Sequence, residues 1–317
     1  MPNASAPAPS IQVTVIGGYL GAGKTTLVNH ILRTADERIA VLVNDFGDIN
    51  IDDDLIASQD GDTISLANGC ICCSLVDGFS AALATVTALE TVPERIVIES
   101  SGVADPATVA AYGHGPGLTL DATIVVVDAE TIRTKSKDVY VGDTVLGQLR
   151  SGDIIVHNKT DLVEAEVAES TRQWLAELAP DAVIIDAANA VVDPAVLFGV
   201  VTPQPAKPHD HDDDGHDGHG HADSLFESWT WRSDDPIERA AVEALMESLP
   251  EDVVRAKGVL FLVEDPEQPM VLQRVGRRWT LRRLLGQAHP GSRLVVIGFH
   301  GATSLAEIDS HIKTKSF

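Results

Sequence analysis

Short apolar runs alternate with amphipathic segments over the first two thirds of the chain. Runs of this length with few polar positions are typical of buried strands in a parallel sheet. They lie at Ile11–Ile16, Ile39–Val43, Arg95–Glu99, Thr123–Val127, Asp153–His157 and Val183–Ile185. Between them, apolar residues recur at helical spacing in Leu27–Leu32, Leu75–Glu90 and Glu164–Leu178. The alternation predicts an α/β domain with a mostly parallel sheet.

The last third of the chain has a different pattern, with strands in which polar and apolar residues alternate. Strands are predicted at Leu225–Trp231, Val253–Val263, Met270–Val275, Arg278–Leu281 and Arg293–Phe299, and helices at Ile237–Leu249 and Ser304–Ile312. Such an order predicts a smaller α+β domain with a mostly antiparallel sheet. We expect its arginines on a solvated sheet face rather than in a nucleic-acid site: Arg274, Arg277, Arg278, Arg282, Arg283 and Arg293.

Residues 203–223 have no apolar periodicity and are rich in Pro, then in His and Asp, which predicts a disordered linker. Its histidines could bind divalent metals loosely, or the stretch could be a plain acidic tether. The candidate ligands are His209, His211, His216, His219 and His221. We therefore predict a disordered tail (1–10), a nucleotide-binding domain (11–201), a linker (202–224) and a C-terminal domain (225–317).

A glycine-rich turn between the first predicted strand and helix is the strongest chemical signal. It reads Gly-Tyr-Leu-Gly-Ala-Gly-Lys-Thr-Thr, which is typical of a phosphate-binding loop in this context. The glycines let the backbone wrap around phosphates, and the amides that open the helix favour an anion. The candidate nucleotide-binding residues are Gly18, Gly21, Ala22, Gly23, Lys24, Thr25 and Thr26. Lys24 would act on the β/γ-phosphates and Thr25 on Mg²⁺.

Acidic residues at two strand ends are candidates for the rest of such a site. Glu99 could reach Mg²⁺ or its water, with the Gly102 amide at the γ-phosphate; an ordinary exit from a strand is the alternative. Asp45 or Asp48, where a switch loop would lie, could hold Mg²⁺ or orient the attacking water. A solvated acidic loop explains these two aspartates equally well. The candidate catalytic residues are Lys24, Asp45 and Glu99.

The tetrapeptide Asn158-Lys159-Thr160-Asp161 follows another predicted strand and has the form of a guanine-reading loop. Asp161 would accept hydrogen bonds from the ring N1–H and the exocyclic amine, which adenine cannot both offer. The order of the two loops along the chain therefore favours GTP over ATP, with Asn158, Lys159 and Asp161 as base-loop candidates. The short segment 187–189 is a candidate second wall of the base pocket.

The three cysteines of the chain all lie in Cys70-Ile71-Cys72-Cys73. Three thiols so close together could be chance, a redox pair or a metal site. Thiolates suit Zn²⁺, Cu⁺ and Co²⁺, but so short a segment cannot easily place three on one tetrahedral ion. We therefore expect an open site that another ligand completes. Such spacing is not a disulfide framework, so the cytoplasm is the expected compartment.

The net charge of −24 limits the partners. So acidic a chain is not expected to bind nucleic acid non-specifically or to associate with anionic membranes. No apolar stretch has the length of a transmembrane helix, and the first ten residues lack the features of a signal peptide.

Together these motifs resemble the CobW-like family of P-loop GTPases, which includes the zinc-regulated GTPase metallochaperones. The similarity covers nearly the whole chain, including the cysteine motif, the His-rich linker and Arg255-Ala256-Lys257-Gly258. In the family the switch sequence is usually Asn-Glu-Phe-Gly, whereas here Asp45 stands in place of Glu. The resemblance implies a GTPase domain that loads or delivers a transition metal, with hydrolysis gating the transfer. Our interpretation is a GTP-hydrolysing metallochaperone that uses Mg²⁺ and delivers a metal, zinc favoured and cobalt next, to a client metalloprotein.

Two other functions fit the same residues. One is a non-catalytic, nucleotide-gated metal sensor or store, in which the histidine tract buffers metal. The other is a P-loop maturation factor whose cysteines are structural. The sequence names neither the client protein nor the metal, and it leaves open whether the chain forms a homo-oligomer.

Overall fold

The computed structural model describes residues 10–43, 63–65, 82–89, 91–199, 225–284 and 288–313. The chain divides into two compact units, one formed mainly by residues up to Phe198 and the other mainly by residues from Gly199 onward. The predicted linker, 202–224, lies outside the described residues, as does the predicted tail apart from Ser10. The boundaries of these segments therefore stay a prediction.

The first unit contains a parallel sheet built from the apolar runs. Its strands are β1 (Ile11–Gly17), β2 (Ile39–Val43), β3 (Thr63–Ser65), β4 (Arg95–Glu99), β5 (Leu118–Asp128), β6 (Ile154–Asn158) and β7 (Val183–Ala187). Within the described residues the sheet has seven strands in the order β3-β2-β4-β1-β5-β6-β7, with parallel pairs. Valine and isoleucine dominate the central strands because helices cover both faces.

Helices of the first unit bury apolar residues against this sheet. They are α1 (Lys24–Thr34), α2 (82–87), α3 (Pro106–Ala110), α4 (Ile132–Lys135), α5 (Gly142–Arg150), α6 (Ala165–Leu178) and α7 (Pro194–Phe198). One core cluster joins β1, β2 and β4 to α2 and α3, and another joins β5, β6 and β7 to α4, α5 and α6. Across the described part of the chain, no helix is both long and apolar enough to cross a membrane.

The strand register aligns the carboxyl ends of the central strands at one edge of the sheet. Ile16 in β1 is opposite Glu99 in β4, and Asp128 in β5 is opposite Asn158 in β6. In open parallel sheets the loops that leave this edge form the ligand site. The described candidates for nucleotide binding all lie in or next to these loops.

The second unit contains an antiparallel sheet with helices packed on it. Its elements are β8 (Phe226–Ser233), α8 (Arg239–Ser248), β9 (Val253–Leu262), β10 (Asp265–Val275), β11 (Arg278–Arg283), β12 (Ser292–Phe299) and α9 (Leu305–Lys313). The five strands follow the order β11-β10-β9-β12-β8, and β12 pairs antiparallel with both β8 and β9. Core residues such as Trp231, Leu245 and Ile308 pack between sheet and helices.

The fold class predicted from the sequence is confirmed in both units, although several elements are longer than predicted. Strand β5 begins at Leu118 rather than Thr123, and β10 begins at Asp265 rather than Met270. Both extensions contain polar residues such as Thr119 and Glu267. Backbone pairing extends a strand beyond its buried part whatever the side chains are, so an apolar run marks only the buried core of a strand.

Arg274 does not lie on a solvated sheet face, so the expectation for this arginine was wrong. Its side chain is buried, with only 3% of the residue exposed. The guanidinium donates hydrogen bonds to the carbonyl oxygens of Met246, Leu249 and Pro250, where α8 ends. Burial lowers the pKa of Arg274 to about 10. The carbonyl oxygens at the end of a helix have no donor within the helix, and the Arg274 guanidinium supplies the missing donors.

Candidate functional site

The phosphate loop joins β1 to α1 in a conformation that only glycine adopts readily. Gly18 has φ +131° and Gly23 has φ +108°, in the left-handed region that side chains disfavour. A Cβ at Gly18 would lie 2.1 Å from the carbonyl oxygen of Val126, and one at Gly23 would lie 2.5 Å from Nδ2 of Asn158. The phosphate loop therefore lies directly against β5 and against the predicted guanine-reading loop, residues 158–161, which we call the base loop.

The start of α1 fits an anion. Gly23 is the N-cap and provides no side chain to the first-turn amides, and this turn contains no acidic residue. Lys24 is 8% exposed, and its Nζ lies 3.5 Å from the carbonyl oxygen of Tyr19 in the loop. Uncapped amides, the positive end of the helix dipole and a lysine therefore converge on one small volume.

Thr25 and Glu99 form an oxygen pair beside this loop. The Thr25 hydroxyl donates a hydrogen bond of 2.8 Å to Oε1 of Glu99, which is buried at the end of β4. The next residue, Ser100, is fully buried, and its Oγ has no hydrogen-bond partner among the described residues. Hydroxyl and carboxylate oxygens are the ligands that Mg²⁺ prefers, so the donor set fits that ion.

Gly102 lies in the loop that follows β4 and contacts the tip of the phosphate loop. A Cβ at Gly102 would lie 2.6 Å from Cδ2 of Leu20 and 2.8 Å from its backbone nitrogen. The same loop is bonded from the other side by Gln148 of α5, whose Nε2 donates to the carbonyl oxygens of Gly102 and Ala104. Its backbone is thus held between the phosphate loop and α5.

Asn158 connects the phosphate loop to the loop after β7. Its Nδ2 donates to the carbonyl oxygen of Ala22 at 2.9 Å, and its Oδ1 accepts from the backbone nitrogen of Ala190 at 2.8 Å. The side chain is buried. Both ends of the amide are therefore bonded to protein, which makes Asn158 a brace between two loops.

Lys159 and Asp161 occupy different environments in the same loop. Lys159 has left-handed backbone angles, and its Nζ donates to the carbonyl oxygen of Gly21 and to Oδ2 of Asp128, each at 2.8 Å. Asp161 is exposed, and its carboxylate accepts no hydrogen bond from the part of the chain that the structure describes. An exposed, unused carboxylate in this position is available to a ligand.

The proposed second wall of the base pocket lies next to the base loop. Thr160 donates from its hydroxyl to the carbonyl oxygen of Ala187 at 3.1 Å. Asn189 and Ala190 have φ values of +51° and +55°, so the backbone turns sharply there. This turn aims the Ala190 amide at Asn158.

Two residues of the site, Asp128 and Gln148, were not among the sequence candidates. Asp128 is the last residue of β5, as Asn158 is of β6, so its position at a strand end was a usable signal. Its carboxylate accepts from Lys159 and from the backbone nitrogens of Glu130 and Thr131. Gln148 gave no such signal, because a polar residue on the buried face of a short helix only weakens the apolar pattern.

Ten candidate residues lie outside the described part of the chain. They are Asp45, Asp48, Cys70, Cys72, Cys73, His209, His211, His216, His219 and His221. The residues that are described contain no group of three or more His, Cys, Asp or Glu side chains that could hold a metal ion. The transition-metal site therefore stays a prediction from the sequence.

Two family profiles match the chain. The profile of the "CobW/HypB/UreG, nucleotide-binding domain" matches residues 12–186, more than half of the chain. The profile of the "Cobalamin synthesis protein cobW C-terminal domain" matches residues 226–310.

Two curated relatives are similar to this chain over almost their full length. A zinc chaperone CobW from Sinorhizobium sp is 32% identical over 342 residues, which cover 95% of this chain and 96% of the relative. The zinc chaperone YjiA of Escherichia coli (strain K12) is 30% identical over 91% of this chain and 94% of its own. Among solved structures, Zn(II)-bound YjiA GTPase from E. coli is 24% identical, with a TM-score of 0.47 over 96% of this chain and 98% of that chain.

Proposed function

Because the chain belongs to the CobW/HypB/UreG family of nucleotide-binding proteins, we propose that it is a GTP-hydrolysing metallochaperone. In this proposal hydrolysis gates the transfer of a transition metal to a client metalloprotein. Zinc is the favoured metal because several relatives are named zinc chaperones, and cobalt is next because thiolates also accept it.

The observation that carries the proposal is the buried amide of Asn158, which bonds to the phosphate loop and to the loop after β7. This contact supports the proposal because it joins the predicted phosphate loop to the loop that is predicted to read guanine. A guanine nucleotide would then meet Asp161 with its base, and Lys24 with its phosphates. The remaining loop candidates, Gly18 to Thr26 and Gly102, would supply backbone amides around those phosphates.

The proposed roles follow from the chemistry of each side chain. Lys24 and the first-turn amides of α1 stabilise the charge on the β- and γ-phosphates. The Thr25 hydroxyl and the Glu99 carboxylate would hold Mg²⁺, directly or through water. The ion would neutralise part of the negative charge on the phosphates. Asp45 is proposed to orient the attacking water. That water adds to the γ-phosphorus, and the bond to the bridging oxygen breaks to give GDP and phosphate.

The proposed metal site is Cys70, Cys72 and Cys73, completed by a further ligand. Its chain order suggests a link to the nucleotide, because the cysteines follow the segment where a switch loop would rearrange around the γ-phosphate. Such coupling is reciprocal, so bound metal and bound GTP would tighten each other by the same factor. Thiolate ligation releases protons, so the metal affinity would rise with pH up to the cysteine pKa values.

The proposal is tested by titrating Zn²⁺ and Co²⁺ into the protein loaded with GDP, and then with a non-hydrolysable GTP analogue. We expect the metal affinity to differ by roughly 5- to 150-fold between the two states. A variant with all three cysteines changed to serine is the control and should lose that difference. Equal affinities in both states would contradict a transfer mechanism gated by nucleotide.

Turnover measured in the same samples separates the alternatives. GTP hydrolysis at saturating metal is expected for a metallochaperone. Tight metal binding without turnover would instead support a sensor or store, and metal-independent turnover of the serine variant would support a maturation factor with structural cysteines.

A further inference from the structure

Gln148 in α5 uses its amide to hold the loop that follows β4. The residue is 2% exposed. Its Nε2 donates to the carbonyl oxygen of Gly102 at 3.1 Å and to that of Ala104 at 2.8 Å. Both protons of the amide are therefore used, and both acceptors belong to a loop that begins directly after Glu99 and Ser100.

Other contacts fix this loop on either side of the two carbonyls. Gly102 lies against Leu20 of the phosphate loop so closely that a Cβ would be 2.6 Å from Cδ2 of Leu20. Downstream, the Asp105 side chain accepts from the backbone nitrogen of Ala107 at 2.9 Å and caps α3. Between them Val103 is 44% exposed, so it is not held by burial. The peptide plane before Val103 is instead held by Gln148 at the Gly102 carbonyl, and the one after it by the Ala104 amide, which donates to the carbonyl oxygen of Ser101 at 3.0 Å.

We propose that Gln148 is a positioning residue that sets the preference for GTP over GDP. It fixes the Gly102 backbone where the amide meets a γ-phosphate, and it acts through that amide without touching the nucleotide. A donor that is already in place loses little conformational freedom on binding, which strengthens its contact with charge. GDP has no γ-phosphate to meet the Gly102 amide, so the affinity for GDP does not depend on the hydrogen bonds that Gln148 makes. The inference rests on the proposed function.

The chemistry of the contact requires a glutamine. The carbonyl oxygens of Gly102 and Ala104 each accept one hydrogen bond from the same nitrogen, Nε2 of Gln148. A neutral side-chain amide carries two such protons and buries no charge. Methionine has a similar length and no donor. Glutamate replaces Nε2 and its two protons with an acceptor oxygen, which would face the two carbonyl oxygens and displace the loop.

The test compares Gln148→Met and Gln148→Glu with the wild type. Gln173→Met is the matched control, because Gln173 lies on α6 and bonds an exposed neighbour, Glu169. The measurements are the dissociation constants of GDP and of a non-hydrolysable GTP analogue, together with the melting temperature. We expect the preference for the analogue to fall roughly 5- to 30-fold in Gln148→Met, with GDP affinity changed by less than about 2-fold, and to fall further in Gln148→Glu.

Different outcomes overturn different claims. If both nucleotides weaken equally, or if the preference is unchanged, Gln148 is merely structural and the inference is wrong. If the wild type binds neither nucleotide, the proposed function fails and takes the inference with it. If the Gln148 variants do not fold, amide hydrogen exchange of the wild-type protein tests the proposal instead. The Gly102 amide should exchange more slowly with the analogue bound than with GDP bound, and equal rates overturn the proposal.

Discussion

The Nζ atom of Lys159 lies 2.8 Å from Oδ2 of Asp128, and the same ammonium donates to the carbonyl oxygen of Gly21 at 2.8 Å. One ion pair thereby joins the end of β5, the base loop and the phosphate loop. Asp128 also accepts from the backbone nitrogens of Glu130 and Thr131, so its carboxylate organises the turn that follows β5.

This ion pair predicts a loss of stability in acid. Burial raises the pKa of Asp128, but the hydrogen bond and charge of Lys159 and the two backbone amides outweigh it and hold the pKa below its usual value. A carboxyl of this kind stabilises the fold fully above its unfolded-state pKa of about 4, and that stabilisation disappears as the pH falls through the folded-state value.

We expect Asp128→Asn to lower the free energy of unfolding by about 1–3 kcal/mol at neutral pH, with a gap to wild type that closes in acid. Urea denaturation from neutral pH down to about pH 3 measures both effects. Glu243→Gln, in a half-exposed ion pair of α8, is the control. A gap that stays constant across this range would show that the Asp128 charge is not the source.

Lys24→Ala should nearly abolish GTP hydrolysis while the protein stays folded. The ammonium lies at the uncapped start of α1, and removing such charge stabilisation typically lowers a rate by ~10²–10³-fold. Steady-state phosphate release measures the rate, and circular dichroism checks the fold. Lys137→Ala, at an exposed lysine, should leave the rate unchanged. Wild-type turnover in folded Lys24→Ala would remove the GTPase assignment.

Asp161→Asn should shift base preference from guanine to xanthine nucleotides. Its exposed carboxylate can accept two hydrogen bonds from guanine, whereas an amide both donates and accepts. Competition between GTP and XTP for the protein measures the ratio of their affinities. If the variant keeps the wild-type ratio, Asp161 does not contact the base.

Arg95 and Asp121 should be a major stability determinant of the first unit. Nη1 of Arg95 lies 2.7 Å from Oδ2 of Asp121, and both side chains are fully buried. Burial lowers the pKa of Arg95, but the charges of Asp121 and Glu37 raise it above its usual value. Removing one partner of a buried pair typically costs about 3–5 kcal/mol, and here Glu37, with Oε2 2.9 Å from Nε of Arg95, still compensates part of the charge.

Denaturation of Asp121→Asn and of the double variant Arg95→Met, Asp121→Leu tests this pair. The single variant should lose up to about 3–5 kcal/mol, and the double variant should recover much of it because the two fully buried charges are then both gone. The Glu243→Gln control should lose less than about 0.5 kcal/mol. A single-variant loss no larger than that of the control would show that the buried pair contributes nothing.

Deleting residues 209–221 should reduce the number of loosely bound metal ions and spare basal GTP hydrolysis. The prediction follows from the histidines of this stretch and from its separation from the nucleotide motifs. Isothermal titration with Zn²⁺ gives the stoichiometry. An unchanged stoichiometry would leave the segment as a tether.

The sequence was sufficient for the parts of the fold that depend on local pattern. The Ile39–Val43 strand has the predicted bounds, and Glu164–Leu178 differs from the observed helix by one residue. The strand is a continuous apolar run that is buried throughout, and the helix carries a clear helical period. By contrast α5 was not predicted, since Gly142 and Gly147 weaken its helical signal and Gln148 interrupts its apolar face.

The candidate site was predictable by residue type but not by contact. Motif spacing predicted Lys24, Thr25 and Glu99 as candidates because chemistry restricts which residues can occupy those positions, and the structure places Thr25 and Glu99 in contact. Their support was not predictable, because Asp128 and Gln148 act through partners 31 and 46 positions away in the chain. Such pairings depend on the packing of strands and helices, which the local sequence does not encode.

Nucleotide release should proceed in a single kinetic phase because of the Asn158 amide. The 158–161 loop and the phosphate loop can separate only when the bonds from Asn158 to Ala22 and from Lys159 to Gly21 break. A ligand bound at its two ends by independent loops would dissociate from one loop at a time and could rebind before leaving the second. Here both loops open together, so under the proposed function one opening event would set the lifetime of bound GDP and, with it, the interval between rounds of metal transfer.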